Sequence, residues 1–183
     1  NAMTLTQANA FTGAVTLSSG TGAVQITDSG TLTLATSTLG GDLTASADTI
    51  DLGSAITLTS GGNMTLGGTT GGITATGAAT LKAAGNLDIN NNITTLGRLT
   101  LTADSDASGA GDLTFASGIT ITTNNNDLEL QGANVSTSTF TADAGSGAAT
   151  FSFTQGITID GDPLTNLTAG SLTINVIGDL IVD

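Results

Sequence analysis

Apolar residues along this chain alternate with Thr, Ser and Asp in short runs, and Gly, Asn or Asp separates one run from the next. "AVTL" at Ala14, "AVQIT" at Ala23, "TLTLA" at Thr31, "AITLT" at Ala55, "RLTLTA" at Arg98, "GITITT" at Gly118, "DLELQ" at Asp127, "SLTIN" at Ser171 and "DLIVD" at Asp179 are examples. Period-two alternation over three to five residues, bounded by turn formers, is the signature of a short half-buried strand. The pattern predicts strands along the whole chain and no helix.

A longer rhythm lies over this one. Leu81, Leu87, Ile93 and Leu99 stand six apart with Gly, Asn and Thr between them, and "LKA" at Leu81 returns as "LTA" at Leu101, twenty residues on. That spacing is too short for a domain and too long for a helical turn, and repeats of this length mark solenoids. "LTA" or a variant recurs at Leu43, Phe140 and Leu167, and "TADSDASGAGDLTFASGITI" from Thr102 matches "TADAGSGAATFSFTQGITI" from Thr141 with a small deletion. The period is elastic, so insertions are expected at corners.

Tight two-residue hairpin loops are absent, and so are the longer strands with aromatic anchors of a β-sandwich. A coil in which three short sheets surround one narrow core fits better, each strand stacking in parallel on the next coil. The expectation is an all-β fold, a right-handed parallel β-helix (solenoid) of about nine coils with roughly 20 residues per coil, about 40 Å long at the usual strand spacing. The six-residue spacing would also suit a left-handed hexapeptide helix. Intervals of seven, eight, nine and fourteen residues elsewhere, and inward pairs two apart such as Ile119 and Ile121, favour the looser right-handed form. Asn90 to Asn92 and Asn124 to Asn126 read as corners, because Asn tolerates a left-handed backbone and can bond to a residue stacked above it.

Composition narrows the chemistry. The 183 residues are 38% hydrophobic, with five Phe and no Trp or Tyr, so the core is expected to be thin. Two basic residues, Lys82 and Arg98, face fifteen acidic ones, for a net charge of −13. A chain this acidic cannot build the basic patch that nucleic acid or anionic lipid requires. No run of about 18 apolar residues suggests a membrane span. Cys is absent, which removes disulfides and thiol chemistry, and His is absent, which removes the commonest general base and transition-metal ligand. Residues 1–3, Asn-Ala-Met, read as a cloning scar followed by a start Met, so that 4–183 is expected to be a single β-helical repeat domain, a fragment of a larger protein.

"ATLKAAGNLDINNNITTLGRLTLTA", Ala79 to Ala103, resembles the haemagglutinin-type repeat of filamentous haemagglutinin-like exoproteins, the adhesins of bacterial two-partner secretion. "GNMTL", "GDLTF" and "GDLIV" extend weaker echoes over most of the chain, while the coils up to Leu66 fit loosely and the family's secretion domain is not recognisable. The resemblance implies part of the shaft of a surface-exposed or released exoprotein, secreted through an outer-membrane transporter. The absence of Cys agrees with a chain threaded unfolded through a pore.

Several constellations bear on chemistry. Asp104, Asp106, Ser108 and Asp112 have the one, three, five, nine spacing of a calcium loop, with Gly109 at the sixth place, but Phe115 stands where the bidentate Glu belongs. The competing account is a polar corner insertion. A polysaccharide hydrolase would need paired carboxylates, for which Asp160 with Asp162, or Asp104 with Asp106, are candidates; a lyase would need Lys82 or Arg98, whose sixteen-residue spacing does not suggest one pocket. Thr pairs raise ice binding, which needs an unbroken rank on one flat face. Sequons at Asn63, Asn92, Asn134 and Asn166 are no more than this composition gives by chance.

The sequence thus leads to the expectation of a structural and adhesive shaft segment, extracellular or on the bacterial surface. It would have no catalytic residues and no cofactors. Its parent would meet a host or neighbouring-cell protein or glycan. The alternatives are a β-helical carbohydrate-active enzyme and a glycan-binding module. Unpaired strand edges at the two ends of the rod further suggest end-to-end self-association.

Overall fold

Alternating apolar and Thr residues do form short strands here, and parallel pairing joins them into a β-solenoid. The structure, a computed structural model, describes residues 1–136, 139–159 and 164–182. Among these there are twenty strands and no helix, so none that could cross a membrane, and every strand pairing is parallel. The solenoid makes about 8 turns of ~21 residues each, against the expected nine of roughly 20.

The pairings resolve into three faces. The first runs through the strands Met3–Asn9 and Val24–Asp28, the opening halves of Leu43–Asp51 and Met64–Ala75, then Leu87–Ile89 and Asp112–Phe115, and ends at Asp179–Val182. The second carries Thr31–Thr33, Ile93–Thr95, Ile119–Thr122 and Phe140–Asp143. The third carries Ser37–Leu39, Ile56–Ser60, Ala79–Ala83, Leu99–Thr102 and Ser171–Val176. Long strands such as Met64–Ala75 and Ala148–Ile159 bend round a corner and serve two faces each.

Inward positions stack in columns. Met3, Val24, Leu43, Met64, Leu87 and Leu113 follow one another on the first face, while Leu58, Leu81, Leu101, Leu130 and Phe151 do so on the third. The four residues at spacing six behave as expected: Leu81 faces inward from the third face, Leu87 from the first, Ile93 from the second and Leu99 from the third again, all fully buried. Such an aliphatic column removes apolar area from water on both sides of every coil, which is the main favourable contribution to the fold. The few aromatic rings are not scattered. Phe115, Phe140, Phe151 and Phe153 are all buried, and the Phe115 and Phe140 rings lie 4.4 Å apart at 37°.

Coil length varies because the corners differ. Thr100 and Glu129 are neighbours in the stack although 29 residues apart, whereas Leu17 and Ser37 are neighbours at 20. The surplus is the segment between the strands Leu99–Thr102 and Asp112–Phe115. Elsewhere the corner is tight: a side chain added at Gly40 would put Cβ 2.7 Å from the Gly20 carbonyl oxygen, so only glycine lets these coils stack. The second Asn run supplies positive φ at Asn124 (49°) and Asn125 (67°), as a corner requires. The first, Asn90 to Asn92, turns without it and uses side-chain bonds instead, among them Thr120 N–H to Asn92 Oδ1 at 2.8 Å.

The long internal match behaves differently from its sequence appearance. Thr102 lies on the third face and Thr141 on the second, paired with Gln131 and Thr120 respectively, so the two matching segments are one face out of step. Of the "LTA" echoes, Leu81 and Leu101 stack directly. Leu43 belongs to the first face and Phe140 to the second.

Candidate functional site

The segment from Asp104 to Gly111 is the largest departure from the regular coil. It leaves the third face after Thr102, where Asp104 N–H donates to the Gly85 carbonyl (3.1 Å) and Ser105 N–H to that of Ala83 (2.9 Å). It then folds onto its own carboxylate. Asp104 is buried, and its Oδ1 accepts from the Ser108 hydroxyl (3.0 Å), Gly109 N–H (3.0 Å) and Ala110 N–H (3.4 Å). Positive φ at Asp104 (52°), Ala107 (57°) and Gly109 (81°) makes the loop tight enough to do this. Its far side is held by Gln155, whose Nε2 donates to the Gly109 carbonyl at 3.0 Å.

Donors, rather than further acceptors, therefore converge on Asp104. Asp106 is exposed and accepts Ser108 N–H at 3.1 Å; the Ser108 backbone and hydroxyl hold its carboxyl below the ordinary value of 3.8. Asp112 begins the next first-face strand, and its N–H donates to Asn86 Oδ1 at 3.0 Å. The structure thus brings Asp104, Asp106 and Ser108 into one loop and places Asp112 in the stack beyond it. Among the described residues, no three acidic side chains are grouped so as to hold a metal ion. Asp160 and Asp162 lie outside the described residues.

Between this loop and the third face runs an open groove of about 270 Å³. Its lining includes Thr102, Asp104, Gln131, Ser152 and Thr154. Beside it, Glu129 is bonded by both Gln131 and Arg98, the latter as an ion pair whose side chains are 57% (Arg98) and 19% (Glu129) exposed. Lys82 is exposed one coil away, in an outward column that reads Thr59, Lys82, Thr102, Gln131, Ser152. The parallel column reads Thr57, Thr80, Thr100, Glu129, Thr150. Both Thr ranks are therefore interrupted, one by Lys82 and the other by Glu129.

Sequence reasoning missed a second feature, a polar ladder at the entry to the first face. Asp42, Asn63, Asn86 and Asp112 occupy successive coils at the same position. Asp42 Oδ1 accepts Asn63 N–H (2.8 Å), Asn63 Oδ1 accepts Asn86 N–H (2.9 Å) and Asn86 Oδ1 accepts Asp112 N–H (3.0 Å). The signal was present: each of these residues follows a Gly and precedes a Leu or Met, as Asp179 also does. Glycine is needed because the side-chain oxygen of the coil before lies where its Cβ would be, Asp42 Oδ1 at Gly62 and Asn63 Oδ1 at Gly85.

Together these features define a parallel β-solenoid with one embellished corner and a hydrogen-bonded polar ladder at another. No protein-family model, no curated protein and no solved structure matches the chain.

Proposed function

We propose that this chain is a shaft segment of a large bacterial surface or secreted exoprotein, extending and displaying binding regions and catalysing nothing itself. The observation that supports the reading best is the continuity of the inward columns from Met3 to Leu113 on the first face and from Leu58 to Phe151 on the third. Each coil is bound to the coils before and after it, which makes a stiff, quasi-one-dimensional body. Thr, Asp and Asn on the outside keep such a body soluble and acidic. On this reading the parent is delivered through an outer-membrane transporter, resides outside the cell, and meets a host or neighbouring-cell protein or glycan through other regions.

A second reading, a glycan-binding module, is favoured by one observation, the hydroxyl, amide and carboxylate groups that line the groove beside the Asp104 loop. A single set of experiments separates the readings. A shaft gives a rod-like small-angle scattering profile, leaves a glycan array unlabelled, releases no reducing ends from polysaccharides, and fails to block attachment of cells bearing the parent. Saturable glycan labelling lost in Gln131→Ala would replace the shaft by the binding module. Release of reducing ends would replace it by an enzyme.

A further inference from the structure

We propose that the second face binds ice, offering a level array of Thr hydroxyls to the ordered oxygens of the crystal. The proposal goes beyond the shaft reading, because a stiff rod needs nothing in common among the outward residues of one face.

Register supplies the first argument. Six consecutive coils cross this face in step, and Thr33, Asp51, Thr74, Thr94, Thr122 and Asp143 form one outward column. Thr31, Thr49, Gly72, Asn92, Thr120 and Thr141 form the other, so eight of these twelve places are Thr. Between the columns Leu32, Ile50, Ile73, Ile93 and Ile121 are buried and hold the sheet in place. Neighbouring outward side chains stand about 6.6 Å apart along a strand and about 4.8 Å from coil to coil, so the array runs for about 24 Å. Both repeats are close to those of the water oxygens on the prism face of ice.

Side-chain length gives the second argument. Strand propensity accounts for Thr at any outward place. It does not account for the absence of every long polar side chain from these twelve, since the chain's one Lys, one Arg, one Glu and four Gln all stand elsewhere. The third face, by contrast, is broken by Lys82, Glu129 and Gln131. Asp and Asn reach no higher than Thr, and Gly72 leaves one shallow gap. The charges are confined to Asp51 and Asp143, whose Oδ1 atoms accept Gly53 N–H (2.8 Å) and Gly145 N–H (3.0 Å) at the corner. The three coils between them present no charge, in a molecule of net charge −13, and so suit an uncharged partner.

The third argument is that the hydroxyls are unused. None of the eight Thr hydroxyls is bonded to another described residue. On the other faces Thr65 bonds Asp88 (3.2 Å), Thr36 Oγ1 accepts Thr57 N–H (3.2 Å) and Thr100 bonds Glu129 (3.5 Å). A β-branched side chain is stiff at χ1, so each free hydroxyl has a defined position beside its methyl group. Ordering liquid water against such an array costs entropy at every molecule. Water in ice is already fixed, so a rigid array of weak hydrogen bonds favours the solid.

The test grows ice slowly from a dilute solution of the whole chain and measures the protein taken into the solid, with crystal shape followed by microscopy. The chain is expected to enter the ice and to facet the crystals. Thr94→Lys raises a long side chain in the middle of the array and is expected to abolish both effects. Thr94→Gln does the same without a charge and takes its part if Thr94→Lys loses the β-sheet dichroism. Thr57→Lys, at an outward place on the third face, is expected to leave both effects intact. Rejection of the unmodified chain into the liquid overturns the proposal, as does ice binding that survives both Thr94 variants or is lost equally in Thr57→Lys. Retention on microcrystalline cellulose together with rejection from ice would make the face a polysaccharide surface, and overturns it too.

Discussion

Asn63 Oδ1 accepts the backbone N–H of Asn86, twenty-three residues later in sequence and one coil ahead in space, at 2.9 Å. The contact converts a side chain into a backbone-like acceptor at a corner where no strand pairing is available. Repeated from Asp42 to Asp112, it supplements the sheet hydrogen bonds with a ladder running along the solenoid axis.

Removing one rung should lower stability modestly. Asn63 is exposed, so water replaces part of the lost bond, and Asn63→Ala is expected to cost about 1 kcal/mol. Asn63→Asp keeps the acceptor and should cost less, since Asp holds this place at Asp42. Urea unfolding of both variants checks the ranking; equal losses would remove the hydrogen bond as the cause.

Core columns carry far more. Leu87 is fully buried between Met64 and Leu113, and Leu87→Ala should destabilise by about 2–5 kcal/mol through lost burial and the cavity left behind. Leu96 is 61% exposed at a corner, and Leu96→Ala should change stability by less than about 0.5 kcal/mol. Denaturant midpoints of the two variants give the comparison directly.

Glycine substitutions should divide by position. At Gly40 a methyl group would press on the Gly20 carbonyl of the coil before, so Gly40→Ala must open the corner and lowers the melting temperature. Gly13 has open space around its Cβ direction and no positive φ, so Gly13→Ala should be neutral or stabilise by up to about 1 kcal/mol through the unfolded state. Thermal scans of the pair suffice.

The loop from Asp104 should respond to acid. The Ser108 backbone N–H, and then its hydroxyl, lower the Asp106 pKa from 3.8. A carboxyl depressed on folding contributes stability that is fully present above its unfolded value and is lost as pH falls through the folded one. The loss is therefore expected below pH 3.8, followed by the Ser108 amide resonance titrating with a midpoint under that value. In Asp106→Asn the Ser108 amide should no longer titrate with that midpoint.

Much of the fold was legible because its causes are local. Alternation of Leu, Ile or Val with Thr sets strand and inward face together, since side chains in a strand point to opposite sides in turn. Short runs separated by Gly, Asn and Asp leave little besides a solenoid, and Leu81, Leu87, Ile93 and Leu99 each took the inward place that their spacing implied. The absence of Cys and His, and the net charge of −13, likewise bounded the chemistry from composition alone.

The tertiary structure decided which face each run occupies. All three faces use the same alternation, so the similarity between the segments at Thr102 and Thr141 carries no information about phase, and they lie on different faces. Phase depends on corner length, and the long corner is held both locally, by the Asp104 carboxylate gathering Ser108 and Gly109, and by contacts distant in sequence, Gln155 holding the loop from beyond the next coil and Phe115 meeting Phe140 in the core. The sequence determined that the chain would coil, because strand and face are properties of neighbouring residues. Register between coils belongs to residues 18 to 29 positions apart, which only the folded stack brings together.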